Sequence, residues 1–321
     1  MRKSLIKIYQ ELHEAHSTSD FPKLLADVMH KKLIRKFKGV SSPWRKYLER
    51  GDMADFKTHN RNWLEEAPDL IKKTEGGNYK GSTVEEQSYA IQLETFGRTF
   101  SITRETIIND DTKELLKQPE RFGRATGRTI AKDAVKLLEA DGFCYDGKTL
   151  FHNDHGNKVA GTLTNDAAGI ALLAEMMTTV EDSTDEASQK LGIEAKMLVV
   201  PSALEDTALR ITQGQQFIPV STTGGTTQVG KVTRLEVVKE PFLTSTTKFY
   251  VMATPEDAPI GEMGFLNGKE EPDLLVQKSD AVFSAGGGDD PWGYEFDDLN
   301  FKVRHDWAKA RAMYQGVVRG G

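Results

Sequence analysis

Residues 75–103 read EGGNYKGSTVEEQSYAIQLETFGRTFSIT, and the fold turns on this stretch. Gly76-Gly77 and Gly81-Ser82 are turn signals, because these residues accept the backbone angles of tight turns. Beyond them Tyr89, Ile91 and Leu93 share one parity, the period of a strand with one apolar face. Phe100 and Ile102 take the opposite parity. A one-residue shift sends every side chain to the other face, so a bulge or bend is expected at Gly97. The stretch 67–103 is expected to form a long two-stranded ribbon with a polar tip around Asn78 to Gln87. A lone ribbon is marginal in water, so its distal half should rest on something outside its own domain.

On the N-terminal side, residues 1–50 carry helical spacings. Leu5, Ile8 and Leu12 form one stripe; Leu24, Leu25, Val28, Met29, Leu33 and Ile34 form another, after the breaker HSTSDFP with a cap at Ser19 or Asp20. Each stripe is narrow and needs a surface to lie on. On the C-terminal side, PERFGRATGRTIAKDAVKLLEADG predicts a helix of about 22 residues, roughly 33 Å long. Pro119 stands in its first turn and Gly142 at its end. Phe122, Ile130, Ala134, Leu137 and Leu138 make its stripe. Gly123 and Gly127 either admit another backbone or are two tolerated glycines costing about 1 kcal/mol each.

From residue 163 the pattern is mixed α/β. Leu172, Leu173, Met176, Met177 and Val180 mark a helix, and KMLVVP (196–201) a buried strand. Ser202 and Glu205 match a capping box opening a helix that carries Leu204, Ala208, Leu209 and Ile211. RLEVV and KFYVM read as strands. After the Gly-rich loop SAGGGDDPWG, YEFDDLNFKVRHDW and AKARAMYQGVVRG read as two terminal strands.

The chain has 321 residues, 38% hydrophobic and 28% charged, which suits one large or two moderate cores and is too apolar for disorder. No apolar run approaches the roughly 18 residues of a membrane span, and the N-terminus lacks a secretory signal. Cys144 is the only cysteine, so no disulfide forms within the chain, and a reducing cytoplasm is expected for folding. Residues 1–50 hold twelve Lys and Arg against five Asp and Glu, while the rest of the chain is acidic. A basic arm on an acidic body suits nucleic-acid contact or docking onto an acidic neighbour of the same kind.

Several groupings resemble chemical sites. His152, Asp154 and His155 in LFHNDHGN have ligand types for zinc or iron, but between Gly147 and Gly156 they read as a polar hairpin turn with Asn153, Asp154 and Asn157 capping backbone groups. Asp110-Asp111 read as helix N-terminal carboxylates. GGGDD (286–290) lacks the lysine and the strand–loop–helix setting of a phosphate cradle. Cys144 would need a base and an oxyanion pocket to act as a nucleophile. Lys31, Lys32, Arg35, Lys36 and Lys38, with Phe37 and Trp44, suit sequence-neutral contact with a polyanion at most. No catalytic residue, metal or cofactor is expected.

In order, EAPDLIKKTEGGNYK, ETFGRTFSITRETIINDD, PERFGRATGR, LFHNDHGN, MLVVPSALEDTA, GEMGFLNGKEEPD and FKVRHDWAKARAMYQG span about residues 65 to 316. Together they resemble the Mu-like major head subunit family of tailed-phage capsid proteins, with the Hong Kong 97 fold that encapsulins share. The resemblance implies an α+β shell subunit. Its expected parts are an N-terminal arm (1–52), a peripheral domain in three pieces (53–66, 101–162 with the spine helix, and 265–321), an extended loop (67–100) and an axial domain (163–264).

It also implies self-assembly into pentamers and hexamers of an icosahedral shell around double-stranded DNA. The shell would be built in the host cytoplasm, with a portal, decoration proteins, only non-specific DNA contact and no membrane partner. No coiled-coil prefix is present, so a separate scaffolding protein is expected, with Met1 near the mature terminus. Trp44, Tyr79, Glu85, Glu86 and Arg98 are the expected inter-subunit residues. An encapsulin-like compartment is the alternative, and a metal-dependent hydrolase through His152 and His155 a remote second.

Overall fold

The computed structural model describes residues 20–40, 42–64, 72–73, 75, 86–109, 117–140, 142–185, 189–213, 234–277, 295 and 297–321. The chain begins with helices α1 (Asp20–Lys38) and α2 (Trp44–Tyr47), then strands β1 (Glu49–Met53), β2 (His59–Leu64), β3 (Glu86–Ile91) and β4 (Glu94–Thr103). Next come α3 (Arg104–Ile108), α4 (Gln118–Glu139), β5 (Lys158–Val159), α5 (Ala167–Glu181), β6 (Met197–Val200) and α6 (Glu205–Gln213). The chain closes with β7 (Glu236–Lys239), β8 (Phe249–Met252), β9 (Gly261–Leu266), β10 (Asp273–Val276), β11 (Asp298–Arg311) and β12 (Val317–Gly320). Two compact units divide these elements: 1–41, 94–130 and 265–307 form the first, and 42–93, 131–264 and 308–321 the second.

In the first unit β4 and β10 pair antiparallel with β11. Leu25 and Met29, one turn apart on α1, are buried with Ile102, Leu299 and Phe301. Leu33 continues that stripe and is also fully buried. The first turns of α4 meet α1 at the two glycines: a Cβ on Gly123 would lie 2.3 Å from the Leu33 carbonyl oxygen, and one on Gly127 2.8 Å from Val40 Cγ2. The close approach of another backbone, one of the two expectations for this pair, holds at Gly123, whereas Gly127 faces a side chain. Phe100 stacks between Phe122 and Phe301, with ring centroids 4.9 and 5.2 Å away.

The second unit is built on the sheet β5-β12-β8-β6-β7. β6 and β8 are buried along their whole length, which their short all-apolar runs require. α5 buries Leu172, Leu173, Met176, Met177 and Val180, as its spacing predicts, and α6 adds Ala208 and Ile211 to the same core. Asp166 caps α5, accepting from the Gly169 amide at 2.9 Å. The end of α4 is closed by Arg311, whose guanidinium donates to the carbonyls of Lys136, Leu137 and Ala140 at 2.8–2.9 Å. Gly142 leaves the room that guanidinium needs, since a Cβ there would lie 1.7 Å from Arg311 Nη1.

Four sequence expectations need correction. The ribbon pairs β2 with β3, from His59↔Ile91 to Leu64↔Glu86, so its outgoing strand lies before residue 67. Gly97 is not a bulge: β4 pairs with β11 in unbroken register from Asp298↔Thr103 to Trp307↔Glu94. The parity change falls just after Leu93, beyond the gap at Gln92–Leu93 where β3 has ended and β4 starts afresh. Gly97 instead lets two strands close, since a Cβ would lie 2.9 Å from the Val303 oxygen. The expected break between Trp307 and Ala308 lies inside one fourteen-residue strand, β11, whose buried positions switch there from odd to even numbers. Lastly, α6 begins at Glu205 rather than just after Ser202, and the Glu205 carboxylate meets Lys239 Nζ at 2.5 Å.

Candidate assembly surface

The two-stranded sheet β2-β3 pairs with no other strand among the described residues. Its root is held by one carboxylate. Glu262 is 3% exposed inside the otherwise apolar strand β9, where an unpaired charge would be costly. Arg61 Nη2 donates to its Oε1 at 2.8 Å and Arg61 Nε to its Oε2 at 3.1 Å, a bidentate pair. The Tyr89 hydroxyl donates to Oε2 at 2.7 Å. Arg61 and Tyr89 face each other across the ribbon, so one buried group clamps both strands. Gly51 makes room, because a Cβ there would lie 1.5 Å from Glu262 Oε1. Burial and the bond to Glu262 push the Tyr89 phenol well up, and burial followed by the Glu262 charge raises the Glu49 carboxyl.

Aromatic contacts extend this root. Trp63 lies 5.7 Å from Tyr89 and meets Tyr145 edge-on at 5.2 Å. Tyr145 stacks near Tyr314, which in turn stacks flat on His155 at 3.7 Å. Sequence reading missed Arg61 and Glu262. A single Glu within PIGEMGFL was the available signal, since a carboxylate in a fully apolar strand must have a partner.

Of the expected inter-subunit residues, Tyr79 and Glu85 lie outside the described residues. Glu86 opens β3, is exposed, and accepts from Asn62 Nδ2 at 2.6 Å across the ribbon. Arg98 is exposed on β4 and lines a groove of about 270 Å³ with Phe96, Phe122, Thr126, His305 and Trp307. Trp44 is 3% exposed and carries the Arg45 guanidinium 4.7 Å above its ring. Glu86 and Arg98 thus belong to two different units, and Trp44 is buried.

LFHNDHGN forms a turn stabilised from within. His155 Nε2 lies 2.7 Å from Asp146 Oδ2 and its Nδ1 3.2 Å from the Leu150 oxygen. His152 Nδ1 accepts from the Asp154 amide, and the Asp154 carboxylate pairs with Lys148 at 2.9 Å. Both imidazoles are therefore engaged with turn groups, and the described residues hold no cluster of three His, Cys, Asp or Glu placed for a metal. Cys144 is buried, and desolvation followed by the Asp146 charge pushes its thiol up to about 12, which suppresses the thiolate. Asp110-Asp111 and GGGDD lie outside the described residues. On α1 the basic run meets acid: Lys32, Arg35 and Lys36 surround Glu120 at 3.2–4.0 Å, and Lys38 pairs with Glu271 at 2.6 Å.

The fold matches solved structures over most of their length. A chain from Mycobacterium phage Bobi aligns with a TM-score of 0.57 at 12% identity, covering 88% of this chain and 90% of that one. A chain from Microbacterium phage Oxtober96 gives 0.56 at 13% identity, covering 88% and 92%. The capsid structure of the cyanophage P-SCSP1u gives 0.51 at 10% identity, covering 87% and 88%. A comparison with curated proteins found no match. This α+β architecture is the Hong Kong 97-type capsid fold. The chain belongs to the phage capsid protein family, whose model matches residues 86–320, and that membership makes it a structural component of a virion, the major head protein of a tailed phage.

Proposed function

We propose that this major head protein builds its shell by reaching across to neighbouring copies with the ribbon β2-β3 and the connection at 65–85. The carrying observation is the ribbon's pairing: among the described residues it is a separate two-stranded sheet, held to the body through Glu262 and through Trp63 against Tyr145. A free ribbon is marginal in water, so an adjacent copy supplies the missing surface. Exposed Glu86 and Arg98, with Tyr79 and Glu85, are the proposed contact residues, while Trp44, expected among them, is buried within its own chain. In this reading residues 1–52 are an arm and 163–264 the axial domain; the extended loop runs from the ribbon strand β2, before residue 67, to the end of β3, and the rest of 53–162 with 265–321 makes the peripheral domain.

Heterologous contacts that close by rotation give rings of five and six, and contacts between rings close an icosahedral shell around double-stranded DNA. A separate scaffolding protein directs assembly, and portal and decoration proteins join the shell. DNA meets the subunit only by non-specific contact, because Glu120 and Glu271 already engage Lys32, Arg35, Lys36 and Lys38 of α1 and an acidic body does not retain a polyanion. The subunit performs no catalysis. Deleting residues 76–86 is the test: a soluble, folded chain that forms no shells is expected, and normal shells by electron microscopy would refute the ribbon's role.

A further inference from the structure

Strand β4 is ten residues long and pairs with β11 along its whole length. Among the described residues no strand pairs with its other edge, and no backbone hydrogen bond from outside the ladder reaches it. Such an edge is a row of open N–H and C=O groups that a further strand can join. Folded chains ordinarily blunt long edges with proline, lysine or a bulge. β4 has no proline and no lysine, and its register with β11 is unbroken. Its charged residues are Glu94 and Arg98, both exposed, and neither side chain has a hydrogen bond or ion pair among the described residues. Residues two apart on a strand share a face, so Glu94, Phe96 and Arg98 stand in line, with the aromatic midway between opposite charges.

We infer that β4 pairs antiparallel with β4 of a second copy, about a two-fold axis at Phe96. Run backwards against itself, the strand sets Glu94 of each copy opposite Arg98 of the other, and Phe96 opposite Phe96. Two cross-strand ion pairs and a facing aromatic pair then surround the axis. Charge selects this register, because centring the pair on Glu94 or on Arg98 would set like charges face to face. The groove of about 270 Å³ lined by Phe96 and Arg98 lies on the same face and leaves room for the second ring. A strand from another source would need the reverse charge order around its own middle residue, whereas a second copy carries that order by symmetry. The ion pairs are exposed, so a single contact of this kind is weak and adds to the others of a shell. The inference deepens the shell reading, on which it rests, by naming the partner of Arg98.

Two experiments on the full chain test this. In the first, light scattering follows assembly of charge-reversed chains. Arg98→Glu and Glu94→Arg each set like charges opposite one another and should raise the concentration needed for assembly about tenfold. Both reversals in one chain restore the two pairs and should bring that concentration back to within about twofold of the wild type. Single variants that assemble as the wild type does, or a double variant no better than the singles, overturn the inference. In the second, Glu94→Cys and Arg98→Cys chains are mixed and mildly oxidised, both before assembly and as shells. Directly opposed residues lie about 4.5–5.5 Å apart between Cα atoms, within disulfide range. A crosslinked dimer is expected from the mixture and from neither chain alone, because each cysteine then faces Arg98 or Glu94 of an identical copy. The native Cys144 is buried, with its thiol pushed up to about 12, and stays out of the reaction. No dimer in the mixture, the result if another protein fills the edge, overturns the pairing, as does equal crosslinking in the unmixed chains. If wild-type chains form no shells at all, the shell reading fails instead, and the crosslink before assembly still decides the pairing.

Discussion

Glu240 has no exposed surface, yet it is ionisable. Its carboxylate accepts from the Tyr47 hydroxyl at 3.0 Å and from the Phe242 amide at 3.2 Å. Burial outweighs both bonds and raises its pKa above the ordinary 4.5. An acid whose pKa is raised by folding holds its proton more tightly when folded, so stability falls as pH climbs from about 4.5 through the raised value. Glu240→Gln keeps an acceptor for Tyr47 and removes the charge; urea unfolding should show that pH slope gone and neutral-pH stability unchanged or slightly higher. Tyr47→Phe should cost about 1–3 kcal/mol, because it strips a donor from a buried carboxylate.

His305 runs the other way. It is 5% exposed, its Nε2 donates to the Glu270 oxygen at 2.6 Å, and burial lowers its pKa from 6.5. The unfolded chain takes up the proton first, so this stability is complete above 6.5 and is lost as pH falls from there toward the depressed folded value. His305→Gln should flatten that part of the curve.

Among the elements, α4 shows how a helix spends its glycines. Alanine would improve helix propensity by about 1 kcal/mol at either position. At Gly123, however, its Cβ would strike the Leu33 backbone oxygen at 2.3 Å, whereas at Gly127 it would meet the movable Val40 side chain at 2.8 Å. Gly123→Ala should therefore destabilise by about 1–3 kcal/mol in thermal unfolding, and Gly127→Ala by clearly less. Fully neutral behaviour at Gly123 would mean that α1 does not approach α4 there. The ribbon root gives a second test. Arg61→Ala leaves the buried Glu262 carboxylate with Tyr89 alone and should cost about 2–3 kcal/mol.

Periodicity made α1, α4, α5, β6 and β8 legible, because each buries one continuous face or its whole length. It placed strand boundaries badly where a face changes. Odd and even parity alone cannot distinguish a break (Gln92–Leu93), a bulge (the expectation at Gly97) and a strand that continues while swapping its buried side (Trp307–Ala308). Only the pairing partner tells them apart, and β11 is that partner for both β4 and β10.

At the scale of the whole molecule, each compact unit has its own buried cluster, one around Met29 and Phe301, the other around Leu173 and Val251. If the connection at 65–85 serves assembly as proposed, deleting 76–86 should leave thermal unfolding within about 0.5 kcal/mol of the wild type while shells disappear, a separation of folding from assembly that calorimetry and electron microscopy measure together. Capsid-family membership was legible from the joint order of short motifs along the chain, none of which is informative alone. The clamp at Glu262 was not legible. Arg61 and Glu262 are 201 positions apart in the chain, so no local pattern links them.

By itself the sequence determined what depends on near neighbours: helical stripes, buried strand cores, the close-approach glycines as one of two options, and a motif order diagnostic of a phage head protein. Tertiary structure alone decided which strands pair and which carboxylates are buried. Those properties depend on groups brought together across the chain, where the cost of an unpaired charge or an unmet hydrogen bond is set by what surrounds it.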